Sequence, residues 1–134
     1  MRLSLAALAM TVLVPTAHAA DTAPTVIYDS VRMVFFDAGS SQLSDKASEV
    51  VDLAVQIAID AHVENELVTG YCDSLETKNG ACPALARQRA EAVKAALIAG
   101  GLTIRIDIAT RTDALDLSDQ RQNRRVVIEP GASP

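Results

Sequence analysis

The sequence predicts an α/β sandwich: a four-stranded mixed sheet with two main helices on one face, in the order β-α-β-α-β, a short helical turn, then β. Three observations lead there. Segments of strand-like alternation and of helical periodicity succeed one another along the chain, the pattern of helices layered on a sheet. Of 134 residues, 49% are hydrophobic but only 3% are aromatic and none is Trp. The core must therefore rest on Ala, Val, Leu and Ile, which suits helix-on-sheet packing better than an aromatic-rich β sandwich. The length fits one domain rather than two.

The elements follow in order. Residues 20–30 form a lead-in. Residues 31–36, Val-Arg-Met-Val-Phe-Phe, are a β-prone run ended by Asp37-Ala38-Gly39-Ser40, read as a strand and a turn. Ser44 offers an N-cap, with Asp45 in the first turn where a carboxylate favours the helix dipole. Ala47, Val50, Val51, Ala54, Ile57 and Ala58 then recur at spacings of three and four, the apolar face of a helix running to about residue 61. Residues 64–69 return to a strand pattern that ends at Gly70, before a polar loop over 72–81 containing Asn79-Gly80. Pro83 suits the first turn of a second helix, faced by Ala86, Ala90, Val93 and Leu97 and stopped by Gly100-Gly101. Residues 102–109 alternate, with Ile104, Ile106 and Ile108 on one side and Arg105 and Asp107 on the other, a half-buried strand. Residues 110–122 are polar, with a helical turn expected over 116–122. A last strand covers 124–129 and a tail 130–134, so the domain spans 31–129. Strands linked by helices are expected to run parallel, with right-handed crossovers.

Residues 1–19 read as an export signal. Met1-Arg2 gives a basic start, residues 3–14 are apolar, Pro15-Thr16 break the run, and Ala17-His18-Ala19 supplies the small residues of a cleavage site. The apolar run is about a dozen residues, short of the roughly 20 that span a bilayer. No Cys follows the cleavage site to carry a lipid, and no other segment is long and apolar enough to cross a membrane. Export followed by solubility is the plain expectation.

Losing Arg2 with that segment takes the formal charge from −5 to −6. An acidic chain is a poor nucleic-acid binder. It also gains no long-range attraction to an acidic polymer, so any such partner must be held by a local charge pair. His62 is the one His left after processing, too few for a Cys/His metal site; neither metal nor cofactor is expected. Gly-x-Ser-x-Gly and His-Glu-x-x-His are absent. The enzymatic alternative is Asp73 and Glu76 as a paired acid and base. Carboxylates populate surfaces everywhere, and a non-catalytic chain is expected. In an exported protein Cys72 and Cys82 read as one disulfide, with two reduced thiols as the alternative. A bridge over a loop of this size would stabilise the fold by about 3 kcal/mol on the chain-entropy model.

Four motifs resemble the peptidoglycan-binding domain shared by outer-membrane protein A, the peptidoglycan-associated lipoprotein and the flagellar stator protein MotB. Val34-Phe35-Phe36-Asp37-Ala38-Gly39-Ser40-Ser41-Gln42-Leu43 is similar to the family's opening strand and turn. Thr69-Gly70-Tyr71-Cys72-Asp73-Ser74 resembles its Gly-His-Thr-Asp segment, with Tyr71 and Cys72 in place of His and Thr. Leu85-Ala86-Arg87-Gln88-Arg89-Ala90 resembles its Leu-Ser-x-x-Arg-Ala helix, and Gln122-Asn123-Arg124-Arg125-Val126-Val127-Ile128 its closing Asn-Arg-Arg strand. The chain departs from the family where Cys82 fills the place of an Asn before the second helix. The loop from Asp73 to Arg89 is about one residue longer, and residues 110–119 lack the usual Gly and Pro.

The resemblance implies recognition of diaminopimelate, a cell-wall residue whose side chain ends in both an ammonium and a carboxylate. Asp73 would meet the ammonium and Arg89 would grip the carboxylate with two parallel bonds. From periodicity alone, Asp73 and Arg89 pairing with each other on the surface is the alternative. Phe36, Asp37 and Gly39 would wall the pocket, or else form a plain strand end. Arg124 is expected on the site side of the last strand, touching ligand or pairing with Asp37 or Asp73, with Arg125 facing water. The implied partner is peptidoglycan, bound by a tethering or sensing module. The alternative is a degenerate domain that binds envelope proteins.

Overall fold

A computed structural model describes residues 31–113 and 119–132. The expected export signal (1–19), the lead-in (20–30), part of the 116–122 turn and the end of the tail lie outside the described residues. The elements are β1 (Arg32–Phe35), α1 (Asp45–Asp60), β2 (Asn65–Tyr71), α2 (Ser74–Lys78), α3 (Ala84–Ala99), β3 (Arg105–Arg111), a 3-10 turn (Gln120–Asn123) and β4 (Arg125–Pro130).

The four strands form one mixed sheet in the order β1-β4-β2-β3. β2 and β3, joined through α3, are neighbours and parallel. β4 lies antiparallel to both β1 and β2. β1 and β2 are thus parallel to each other but not adjacent, because β4 takes the place between them. Parallel pairing, expected wherever a helix links two strands, is confined to β2 and β3.

Register sets the two faces. Val34 and Gly70 both oppose Val126, and Val68 lies between Ile128 and Ile108. Val34, Val68, Val126 and Ile128 are fully buried beneath Val51 and Val55 of α1 and Ala90, Val93 and Leu97 of α3. Gly70 does not end β2 as expected; the strand continues to Tyr71. Its missing side chain lets α3 lie close on the sheet, since a methyl there would run into the Ala86 carbonyl.

Capping is read directly from the chain. Ser44 Oγ accepts the Ala47 N–H at 3.1 Å. All three helices end in the same paired turn, with the 6→1 bonds Val63 N–H to Ala58 O, Ala81 N–H to Glu76 O and Leu102 N–H to Leu97 O. The turn needs one left-handed residue, supplied by Gly80 (φ 74°) and Gly101 (φ 104°), but by His62 (φ 52°) after α1. The opposite face of the sheet carries no helix among the described residues. There, on the edge strand β1, Met33 and Phe35 stand 48% and 49% exposed.

Candidate functional site

The C-terminal end of β2, the turn after β1 and the residue before β4 meet at one end of the sheet. Sequence alone reads the stretch after β2 as a polar loop; it contains α2. Asp73 caps that helix, its Oδ1 accepting the Glu76 N–H at 2.8 Å, while Glu76 Oε2 accepts the Asp73 N–H at 2.8 Å. This is a capping box. The Asp-x-x-Glu spacing was the available signal, obscured because one turn of helix shows no apolar periodicity.

Glu76 is the residue that sequence reasoning missed as an organiser of the site. It turns inward to Arg89 on α3, whose Nη2 and Nη1 reach Oε1 and Oε2 at 2.7 and 2.9 Å. Arg89 is fully buried. Its remaining donors go to backbone carbonyls: Nε to Ser40 at 2.8 Å, Nη1 also to Tyr71 at 3.0 Å, and Nη2 also to Asp37 at 3.1 Å. All five guanidinium N–H groups thus have acceptors inside the protein. The Phe36 ring lies 5.5 Å from the guanidinium carbon. Glu76 takes one further bond, from the Gly39 N–H at 3.0 Å. Burial pushes the Glu76 carboxyl up, but bonds from Arg89, then from the Asp73 and Gly39 N–H groups, outweigh it and hold the group below the usual carboxylate value. Removing either partner would strand a buried charge, a loss of about 3–5 kcal/mol.

A second ion pair sits beside the first. Arg124 Nη1 donates to Asp73 Oδ2 at 3.2 Å and its Nε to the Phe36 carbonyl at 3.1 Å. Arg125 does not face water as expected; it is 8% exposed. Its guanidinium carbon lies 4.2 Å from the Tyr71 ring centroid, and its Nη1 donates to the Gln122 carbonyl at 2.8 Å. The aromatic ring on the neighbouring strand and that carbonyl replace the solvent it would otherwise seek. Cys72 and Cys82 are joined in a disulfide, with Cα atoms 6.4 Å apart, closing the segment that carries α2.

The structure therefore gathers Phe36, Asp37, Gly39, Asp73, Arg89 and Arg124 around two linked ion pairs. Asp73 and Arg89 do not pair with each other; both bond to Glu76. Arg89 reaches the segment after β2 through Glu76, with its donors already engaged. Gly39 serves the site through its N–H and its left-handed backbone, φ 65°. Asp73 and Glu76, the carboxylates weighed as acid and base, each hold a guanidinium. Phe36, Asp37 and Arg124 also line a shallow depression of about 300 Å³, which does not reach Gly39, Asp73 or Arg89. Among the described residues no cluster of His, Cys, Asp and Glu is placed to hold a metal ion. No helix among them is long and apolar enough to cross a membrane.

Compared with known proteins, residues 35–127 match the model of the OmpA family. Several solved structures share the fold, three of them as follows. The OmpA-like domain of FopA1 from Francisella tularensis subsp. tularensis SCHU S4 is 20% identical, with a TM-score of 0.66 over 73% of this chain and 69% of that one. The peptidoglycan-associated lipoprotein from Burkholderia pseudomallei is 25% identical, with a TM-score of 0.62 over 72% and 87%. The C-terminal domain of Helicobacter pylori MotB is 18% identical, with a TM-score of 0.56 over 75% and 85%. No curated protein matches the chain.

Proposed function

The chain belongs to the OmpA family, and from that premise we propose that it is a non-catalytic module of the bacterial periplasm that binds the peptide stem of peptidoglycan, tethering or sensing the cell wall. The observation that carries this reading is the family match, whose span takes in every residue of the polar cluster. The 25% identity to a lipoprotein named for its association with peptidoglycan supports the ligand class. Export through a cleaved signal over residues 1–19, delivering a domain of residues 31–129, belongs to the same proposal. So does association with the outer membrane. A disulfide suits that oxidising compartment.

The ligand group in this reading is diaminopimelate. Asp73 is the anion for its ammonium and Arg89 the guanidinium for its carboxylate, both charge-assisted contacts. Phe36, Asp37 and Gly39 form the wall, and Arg124 fixes the Asp73 carboxylate from the other side. The position supports the assignment, since ligands of α/β sheets commonly gather at the carboxyl ends of strands.

The test is sedimentation with purified peptidoglycan sacculi. Wild type is expected in the pellet. Asp73→Asn, which keeps a capping oxygen but loses the charge, is expected in the supernatant. Wild type remaining in the supernatant would overturn the reading. One observation favours a second function in that event: Met33 and Phe35, about half exposed on a strand that has no outer neighbour among the described residues, suit a module that binds envelope proteins.

A further inference from the structure

The groups around Glu76 form a complete receptor for a carboxylate. Each oxygen accepts one guanidinium N–H and one backbone N–H: Oε1 from Arg89 and Gly39, Oε2 from Arg89 and Asp73. The receptor is assembled from three separate segments, the turn after β1, the end of β2 and the middle of α3. The occupant comes from a fourth, a helix of five residues. We propose that Glu76 is an internal ligand, occupying a carboxylate site made by the Arg89 guanidinium and the N–H groups of Gly39 and Asp73, and that an outside carboxylate gains this site only by displacing it.

Three features support displacement. The Glu76 side chain is 7% exposed while Arg89 is fully covered, so the pair lies just below the surface. α2 holds little of the core: Leu75 is 64% exposed, and Glu76 is the helix's one buried residue. The Cys72–Cys82 bridge encloses α2, so the segment can shift without the chain ends separating. The resident carboxylate is held ionised, the form the fork requires. A ligand's carboxylate therefore competes with one already attached to the chain, at the high effective concentration of an intramolecular group. Glu76 thereby sets how strongly the site takes an external partner. The receptor stands on geometry alone; the statement that its external ligand is a peptide-stem carboxylate rests on the peptidoglycan reading.

The experiment is rescue of Glu76→Ala by acetate, read by thermal melting and far-UV circular dichroism, with sodium chloride as the control for salt. The variant is expected to melt below wild type and to recover saturably with acetate but not with chloride. If it is unfolded without acetate, acetate-dependent folding is the same result. Wild type and the double variant Glu76→Ala/Arg89→Met should show no acetate-specific response. An equal response of Glu76→Ala to acetate and chloride, folded or not, overturns the proposal. Sacculi then separate the two readings. In acetate-free buffer the folded variant should half-sediment at ~10-fold less sacculus than wild type. Sedimentation no better than a wild type that itself sediments overturns the displacement step. Acetate rescue with neither protein sedimenting sinks the peptidoglycan reading and leaves the internal ligand standing.

Discussion

Glu66 makes stability depend on pH in a direction opposite to most carboxylates. It lies on β2 between Ile106 and Pro130 in register. It is 4% exposed, and its Oε2 has no hydrogen-bond partner among the described residues. Burial first, and the charge of Glu129 second, push its carboxyl from 4.5 up to about 7. The folded state thus holds a proton that the unfolded chain releases above 4.5. Stability is full below that value and declines by about 1.4 kcal/mol per pH unit until the folded group itself ionises near 7. The accumulated loss is about 3 kcal/mol. Glu76 acts oppositely but elsewhere, because its lowered carboxyl loses stability only as pH falls below the ordinary carboxylate range. Urea unfolding at a series of pH values from 5 to 8 tests this, comparing wild type with Glu66→Gln. Wild type should weaken steadily from pH 5 to about 7 and then level off, while the variant stays nearly level throughout and becomes the more stable protein at pH 8. Parallel pH profiles for the two proteins would refute the reasoning.

Three other expectations concern the scaffold. His62→Gly should raise stability by about 0.5–1 kcal/mol, because the left-handed turn after α1 costs a residue with a Cβ more than it costs glycine; calorimetry showing an unchanged or lower melting temperature would contradict this. Gly70→Ala should cost about 3 kcal/mol in urea unfolding, since the Ala86 carbonyl it meets belongs to a helix backbone that cannot rotate away. Reducing the Cys72–Cys82 bridge should cost about 3 kcal/mol by freeing the unfolded chain, and an unaltered urea midpoint after reduction would show that the bridge does not constrain it.

What the sequence disclosed was whatever is encoded locally. Ser44, the three- and four-residue spacing of Ala47 to Ala58, and Gly100-Gly101 announce α1 and the end of α3 without reference to the rest of the chain. The four strands were legible for the same reason. Three things were not. α2 is one turn long, with Leu75 exposed, so it has no apolar stripe to detect, only a capping pair. The Glu76–Arg89 pair joins residues 13 apart, and nothing near either one says that it points inward. Arg125 is a charged residue in a strand, which alternation assigns to water, and Glu66 is a charged residue on the face it shares with Val68. Glu66 is buried because α/β packing covers its end of β2, and Arg125 because Tyr71 happens to stand on the next strand. Motif names the candidate site residues, but the way they connect is a property of the folded chain.

The position of β4 has a consequence for how the molecule is made. Among the described residues, the last strand in chain order takes an interior seat, between β1 and β2. Without residues 125–130 no strand fills the slot between β1 and β2. Arg124 immediately precedes that strand, so Asp73 gains its guanidinium as the slot fills. Closing the sheet and pairing Asp73 with Arg124 therefore rest on one stretch of chain, whereas the Glu76–Arg89 pair draws on no residue of it.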